Sequence, residues 1–261
     1  MNRKANKLIT WEDTLATAAR GLREFEALMR EAPYEAKGVL FSEMLFVRAA
    51  AGNLQPRTVF ESGRAGGVST FLLSRCFPEK PVVSIELNAD SPDVELAARN
   101  LRGLTNVQCL FGDARRLLLD RVQPGDLVII DGPKHHRALR LALRLLWRRR
   151  PAAVFIHDCY RGSIERRLLE TRVPGCLFSD SEEFVERYRG LDAKCWEAID
   201  QLLREGGRVP HLETGKGGSY GPTFACVPYD ATLPFRRLLV RVRLDGHLQR
   251  WRKAPAVSGA C

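Results

Sequence analysis

Seven cysteines occur in this chain, at 76, 109, 159, 176, 195, 226 and 261, yet no two stand at C-x-x-C spacing. Scattered singly through apolar contexts, they argue against a zinc knuckle or a disulfide framework. No apolar run approaches the length of a membrane span, and the opening MNRKANKLITWEDT lacks the apolar segment and small-residue cleavage site of a secretion signal. A soluble, cytoplasmic protein with no membrane partner is therefore expected. There is no internal repeat. Aromatic residues make up only 8%, and no RNA-binding module is present, which argues against a nucleic-acid partner even though Lys+Arg exceed Asp+Glu by 41 to 31. The run RRR at 148–150 closes an amphipathic segment, where cations suit the carbonyl end of a helix, and reads as a solvated face.

What is there is enough apolar residue, 45% of 261, to bury a large core in one elaborated α/β domain. Thr10 with Asp13 three residues on resembles a capping box, and Leu15, Ala18, Leu22, Phe25 and Leu28 recur at helical spacing, predicting a helix over about 10–31. A second helix follows, with Gly52-Asn53 expected as its left-handed stop. From residue 58 the chain alternates β-branched runs (TVFE, VVSIE, VQCLF, DLVIID, AAVFIHD) with amphipathic segments, the pattern of a parallel sheet covered by helices. After Tyr160 the rhythm fades. A helix or helix pair ends at Gly206-Gly207, TFACVP reads as a late strand, and FRRLLVRVRLDGHLQRW suits either an edge strand or an exposed amphipathic helix. The expected organisation is an N-terminal helical cap (1–55), a core (56–160), a helical lid or insertion (161–222) and C-terminal strands with a tail (223–261).

Polar residues collect at the ends of the predicted strands, where a parallel α/β sheet binds its ligands. Glu61, Glu86, Asp113, Asp131 and Asp158 share that register, predicting an acidic rim. The first strand runs into ESGRAGG. Gly63 allows a sharp turn, and Gly66 and Gly67 let backbone N–H groups approach a ligand. The spacing fits neither the dinucleotide fingerprint G-x-G-x-x-G nor a Walker A loop, and leaves E-x-G-x-x-x-G, with Glu61, Gly63 and Gly67.

These motifs, ESGRAGG, SIELN, FGDA and DLVIIDGPK in order, resemble those of class I S-adenosylmethionine (SAM)-dependent methyltransferases over residues 56–160 and more loosely to 228. The resemblance implies a Rossmann-like sheet of order 3-2-1-4-5-7-6 with helices on both faces, with TFACVP as the seventh strand. It places Glu86 on the ribose hydroxyls, Asp113 beside adenine, and Glu61 and Asp131 near the cationic end of SAM. Ser62, Gly63 and Gly67 form the elbow, and Ser69 and Thr70, or the helix N–H groups, meet the carboxylate. Ala65 departs from the family, which usually has glycine there.

For the chemistry, the resemblance extends to small-molecule O-methyltransferases, some of which bind a divalent cation at the ends of strands four and five. Asp131 and Asp158 occupy comparable places, but Cys159 stands where a further acid or amide is usual, so a metal is possible and not favoured. The alternatives are an imidazole base, with His157, His135 and His136 near the site, or positioning alone; His135 and His136 could instead cap the following helix. Tyr160 would orient the substrate. The expected function is methylation of a small-molecule acceptor, on oxygen, in a biosynthetic pathway. The same cofactor grip would serve an enzyme that cyclises SAM's own aminobutyrate and releases methylthioadenosine, and a noncatalytic or nucleic-acid-binding module is the third reading. A homo-oligomer is left open.

Overall fold

The computed structural model describes residues 9–34, 38–52, 54–207 and 223–253, with side chains to residue 244. Two helices lead, α1 (Trp11–Glu31) and α2 (Phe41–Ala51). The sheet follows: β1 (Val59–Ser62), α3 (Val68–Cys76), β2 (Val82–Glu86), α4 (Asp93–Asn100), β3 (Val107–Phe111), α5 (Ala114–Arg121), β4 (Leu127–Ile130), α6 (His136–Arg148) and β5 (Ala153–Ile156). The chain then adds α7 (Ile164–Arg172), β6 (Leu177–Phe178), α8 (Glu182–Tyr188), a 3-10 turn (Arg189–Asp192), α9 (Ala193–Arg204), β7 (Ala225–Pro228) and α10 (Phe235–Lys253).

The seven strands run β3-β2-β1-β4-β5-β7-β6, the order expected, with β1 to β5 parallel and β7 antiparallel to both its neighbours. The order reverses direction at β1 and β4, which pair side by side, so the switch point at which such sheets bind ligands lies at their carboxyl ends.

Alternation along the strands sorts the core into two faces. Val59, Val82, Leu127, Ile129 and Phe155 face α1, α2 and α3. Phe60, Val83, Ile85, Val128, Ile130 and Val154 face α5, α6 and α10. Phe46 sits deep in the first face, its ring centroid 6.0 Å from Phe155 and 5.7 Å from Phe184, both edge-on. Truncating such a buried ring costs about 3–5 kcal/mol.

Thr10 caps α1 as its sequence predicts, accepting from Asp13 N at 3.1 Å. Gly52, in contrast, closes α2 with φ −56°, an ordinary right-handed conformation, so no left-handed stop is used there; Asn53 lies outside the described residues. The segment expected as a lid divides in two. Its first part supplies α7 and the edge strand β6. Its helices α8 and α9 pack on the N-terminal pair through Phe184, Tyr188 and Cys195, and Asp192 accepts from the Ser42 N and Oγ at 2.8 and 2.6 Å. Among the described residues the C-terminal segment holds one strand, β7. Phe235, Leu238, Leu239 and Val242 are buried at i, i+3, i+4 and i+7, and this 3.6-residue stripe makes α10 a helix although Val240, Val242 and Leu244 also alternate. Among the described residues no helix is long and apolar enough to cross a membrane.

Candidate functional site

The glycine elbow joins β1 to α3 through three left-handed residues, Gly63 (φ 88°), Ala65 (φ 44°) and Gly67 (φ 87°). At Gly63 space is as restrictive as conformation: a Cβ would lie 2.9 Å from the Gly132 N. The elbow is thereby seated on the backbone leaving β4, with Asp131 N and Gly132 N both donating to Ser62 O and Ser62 Oγ donating to Gly132 O at 2.5 Å. Ala65 adopts a conformation that costs a Cβ-bearing residue roughly 1–2 kcal/mol, at the position where the family the sequence resembles has glycine.

Four of the five acids expected on the rim stand at strand ends; Glu61 does not. It lies inside β1, 1% exposed, and its carboxylate accepts from Ser84 Oγ at 2.8 Å and from Thr70 Oγ1, with Ser69 also bonded to it. Burial raises its pKa, and the three hydroxyls offset this only in part. Ser69 and Thr70 are consequently turned onto Glu61 and tie α3 to the sheet. The α3 amides before the first intrahelical bond, Phe71 N to Gly67 O at 2.8 Å, are the groups left for an anion.

Glu86 ends β2 half-buried, accepting from Ala65 N at 3.1 Å and Leu87 N at 2.7 Å, so the carboxylate lies directly over the elbow. Leu87 and Phe111, at the ends of β2 and β3, are 73% and 45% exposed, two apolar side chains beside that carboxylate. Asp113 caps α5 through Arg115 N at 2.9 Å and is clamped by the Arg115 guanidinium, whose hydrogen bonds hold its carboxyl below the usual range.

On the other side of the elbow, β4 and β5 end in a dense cluster of charge. His157 Nδ1 donates to Asp131 Oδ1 at 2.5 Å and its Nε2 faces Glu43 Oε1 at 3.2 Å. Lys134 bridges Asp131 and Asp158, with 2.7 Å to the latter, and Tyr160 OH donates to Asp158 Oδ1 at 2.9 Å. Burial pulls the His157 pKa down, but the Asp131 and Glu43 carboxylates outweigh it and hold the imidazole well above its ordinary value. Burial likewise pulls Lys134 down, and Asp131 and Asp158 outweigh it and raise it. Asp131 and Asp158, pushed up by burial, are brought below their ordinary value by those two cations. The two carboxylates thus favour the charged form of the imidazole, the opposite of the bias a neutral base needs. His135 occupies the N-cap position of α6 without a side-chain cap bond.

Two members of this cluster escaped the sequence reading. Lys134 was visible in DGPK, three residues after Asp131. Glu43 carried no signal beyond its place at the start of α2, where it accepts from Leu40 N at 2.9 Å; it also binds Thr223 N at 2.7 Å, so it joins the helical cap to the end of β5 and the approach to β7.

Asp131, His157 and Asp158 each offer a ligand atom, all within 4.8 Å of one another. The donor set nevertheless fits a resident hard cation poorly. The Lys134 ammonium already bridges the two carboxylates, both nitrogens of His157 are already turned onto carboxylates, and Cys159 is buried in the second face of the core with burial pushing its thiol up to about 12.

No protein-family model and no curated protein matches this sequence. Solved structures do resemble its trace. The O-methyltransferase TomG from Streptomyces achromogenes, involved in tomaymycin synthesis and bound to SAM, is 20% identical with a TM-score of 0.43, over 87% of this chain and 94% of that one. An O-methyltransferase from Bacillus cereus in complex with SAH is 18% identical with a TM-score of 0.45, over 85% and 99%. Cofactor-bound Rv0187 from MTB is 24% identical with a TM-score of 0.42, over 86% and 93%. Likeness at this level assigns no residue a role. The strand order and the elbow at its switch point stand on their own as a seven-stranded Rossmann-like sheet of the order 3-2-1-4-5-7-6.

Proposed function

We propose that the chain is a SAM-dependent methyltransferase acting on the oxygen of a small-molecule acceptor in a biosynthetic pathway. The observation that carries the reading is Glu86: a carboxylate poised over a glycine elbow, flanked by exposed Leu87 and Phe111, offers two acceptors for ribose hydroxyls and apolar surface for a base. The free amides at the start of α3 would take the cofactor's carboxylate.

The cluster beyond the elbow suits a cationic electrophile. Glu43, Asp131 and Asp158 outnumber His157 and Lys134 by one charge, so its net field favours a sulfonium. Lys134 and His157 are raised and Asp131 and Asp158 lowered, each away from the neutral range a base needs. The cluster therefore orients rather than deprotonates. Tyr160 and Asp158 would direct the acceptor hydroxyl at the methyl carbon, rate coming from alignment with an already activated donor. This arrangement suits an acceptor whose hydroxyl is itself acidic, such as a phenol or enol. Chelation should leave the rate unchanged.

Glu86→Ala is expected to weaken SAM binding by about 1.5–3 kcal/mol in titration calorimetry, the scale of hydrogen bonds to a charged group. An unchanged dissociation constant would remove Glu86 from the site. Incubation with SAM alone tests the reaction type: S-adenosylhomocysteine formed only with a phenolic acceptor supports methyl transfer, whereas methylthioadenosine formed without acceptor replaces it with cyclisation.

A further inference from the structure

The RRR run, a solvated helix end by its sequence, is part of something larger. A groove of about 620 Å³ runs between α5 and α6, on the second face of the sheet, lined by five arginines, Arg115, Arg116, Arg144, Arg148 and Arg149, with Leu119 and the carboxylates of Asp113 and Asp120. Two of these have carboxylate neighbours, Arg115 on Asp113 at 2.7 Å and Arg116 on Asp120 at 3.9 Å. Arg144, Arg148 and Arg149 have no acidic partner among the described residues. Trp147, next to Arg148 on α6 but outside the groove lining, is 36% exposed and has the Arg148 guanidinium 4.9 Å and the Arg236 guanidinium of α10 5.7 Å from its ring centroid.

The charge belongs to this face rather than to the chain at large. Residues 114–121, 136–150 and 235–244 carry formal charges of +2, +6 and +4, more together than the +10 of the whole protein, so the remainder is net acidic. Converging guanidiniums repel one another, and an anionic occupant would relieve that cost.

We propose that the α5–α6 groove is a docking site for single-stranded nucleic acid, with the phosphodiester backbone in the groove and a base on Trp147. Three features select this occupant. Every cation lining the groove is arginine, whose planar fork matches phosphate oxygens two at a time. The guanidiniums line a concavity that a thread of phosphates can enter and a flat bilayer cannot. An aromatic ring set among arginines is the stacking platform such strands use. The lining shares Asp113 with the rim but includes no residue of the elbow or of the Asp131–Asp158 cluster, so the strand is a docking partner and not the methyl acceptor.

Fluorescence anisotropy with a fluorescein-labelled 12-mer of uridine, titrated with the full chain between 50 and 200 mM KCl, tests this. Saturable binding is expected, with log K falling against log salt at a slope of about −2 or steeper, as release of counterions from three or more phosphates requires. The triple variant Arg144→Gln, Arg148→Gln, Arg149→Gln should bind at least about 30-fold more weakly with a slope shallower by about 2, and Trp147→Ala about fivefold more weakly or worse. SAM titration of each variant serves as the control for folding, since none of these residues touches the elbow. The proposal is overturned if the uridine strand does not bind at 50 mM, if the triple variant binds as the native chain does, or if a 12-base-pair duplex binds more tightly than the single strand. Capture by phosphatidylserine vesicles without uridine binding would assign the face to a bilayer and overturn it equally.

Discussion

The two halves of the rim, one on each side of the elbow, are built on opposite plans. On the β1–β2–β3 side, the elbow, Glu86 and Asp113 are held by backbone amides and near neighbours in sequence, with apolar side chains left in solvent. On the β4–β5 side, five charged side chains from three separate elements are locked to one another, with Glu43 and Asp158 buried and Lys134 and Asp131 partly exposed. The first half is a grip whose shape is set by φ values and strand ends. The second is a network in which each charge is tolerable only because the others are present. Recognition of a cofactor can thus be encoded locally, while the electrostatic environment of the reaction depends on the whole fold.

Breaking the grip should have the largest effect. Gly63→Val places a β-branched side chain at φ 88° with its Cβ 2.9 Å from the Gly132 N, and either the elbow or the start of the β4–α6 loop must move. No SAM binding should be detectable by calorimetry at concentrations that saturate the native protein. Retention of full affinity would mean that the elbow serves only to pack α3 on the sheet.

Breaking the network should cost stability before function. Glu43→Ala removes a buried carboxylate from His157, Leu40 N and Thr223 N at once, and a loss of about 3–5 kcal/mol is expected in denaturant unfolding. The same network sets a pH dependence whose sign can be worked out. The His157 pKa is raised on folding, so its contribution is complete below the unfolded value near 6.5 and is lost as pH rises through the folded value. Asp131 is lowered, so its contribution is present above 3.8 and is lost as pH falls toward the folded value. Asp192, raised to about 6 by burial that its Ser42 hydrogen bonds only partly offset, loses its contribution as pH climbs from 3.8 through 6. Melting temperature should therefore decline on the alkaline side of about 6.5, and His157→Gln should flatten that decline. An unchanged slope in the variant would show that His157 is not charged in the folded protein.

The smallest effect sharpens the comparison instead of breaking it. Ala65→Gly relieves a left-handed alanine, at φ 44°, at the cost of greater freedom in the unfolded chain. A net gain of about 0.5–1 kcal/mol is expected, read as a shift in the denaturant midpoint, with SAM affinity altered less than twofold because the Ala65 amide that meets Glu86 is kept.

Much of the first half was legible because its information is short-ranged. Strand, glycine and helix follow within a dozen residues, and an acid at a strand's last position stays there in any packing of that sheet. Glu61 shows the limit: one residue of difference in where β1 ends turns a rim acid into a buried anchor for Thr70 and Ser84. The role of His157 was illegible for a different reason. A histidine's charge depends on what stands around it, and Glu43 arrives from a helix 114 residues earlier. Whether FRRLLVRVRL became strand or helix was likewise undecidable locally, since its residues satisfy both periods until α6 offers a surface for one of them.

By itself, then, the sequence determined the parallel sheet, its order at the level of a family resemblance, the elbow and the acids at the ends of β2 to β5. Periodicity and glycine spacing act through local sterics that no distant residue can reverse. Tertiary structure alone decided that His157 sits between the Asp131 and Glu43 carboxylates, that Lys134 lies between two carboxylates, that Glu61 faces inward, and that arginines from α5 and α6 face a common groove. These are properties of charge and burial, and both depend on which side chains come together when the chain closes on itself.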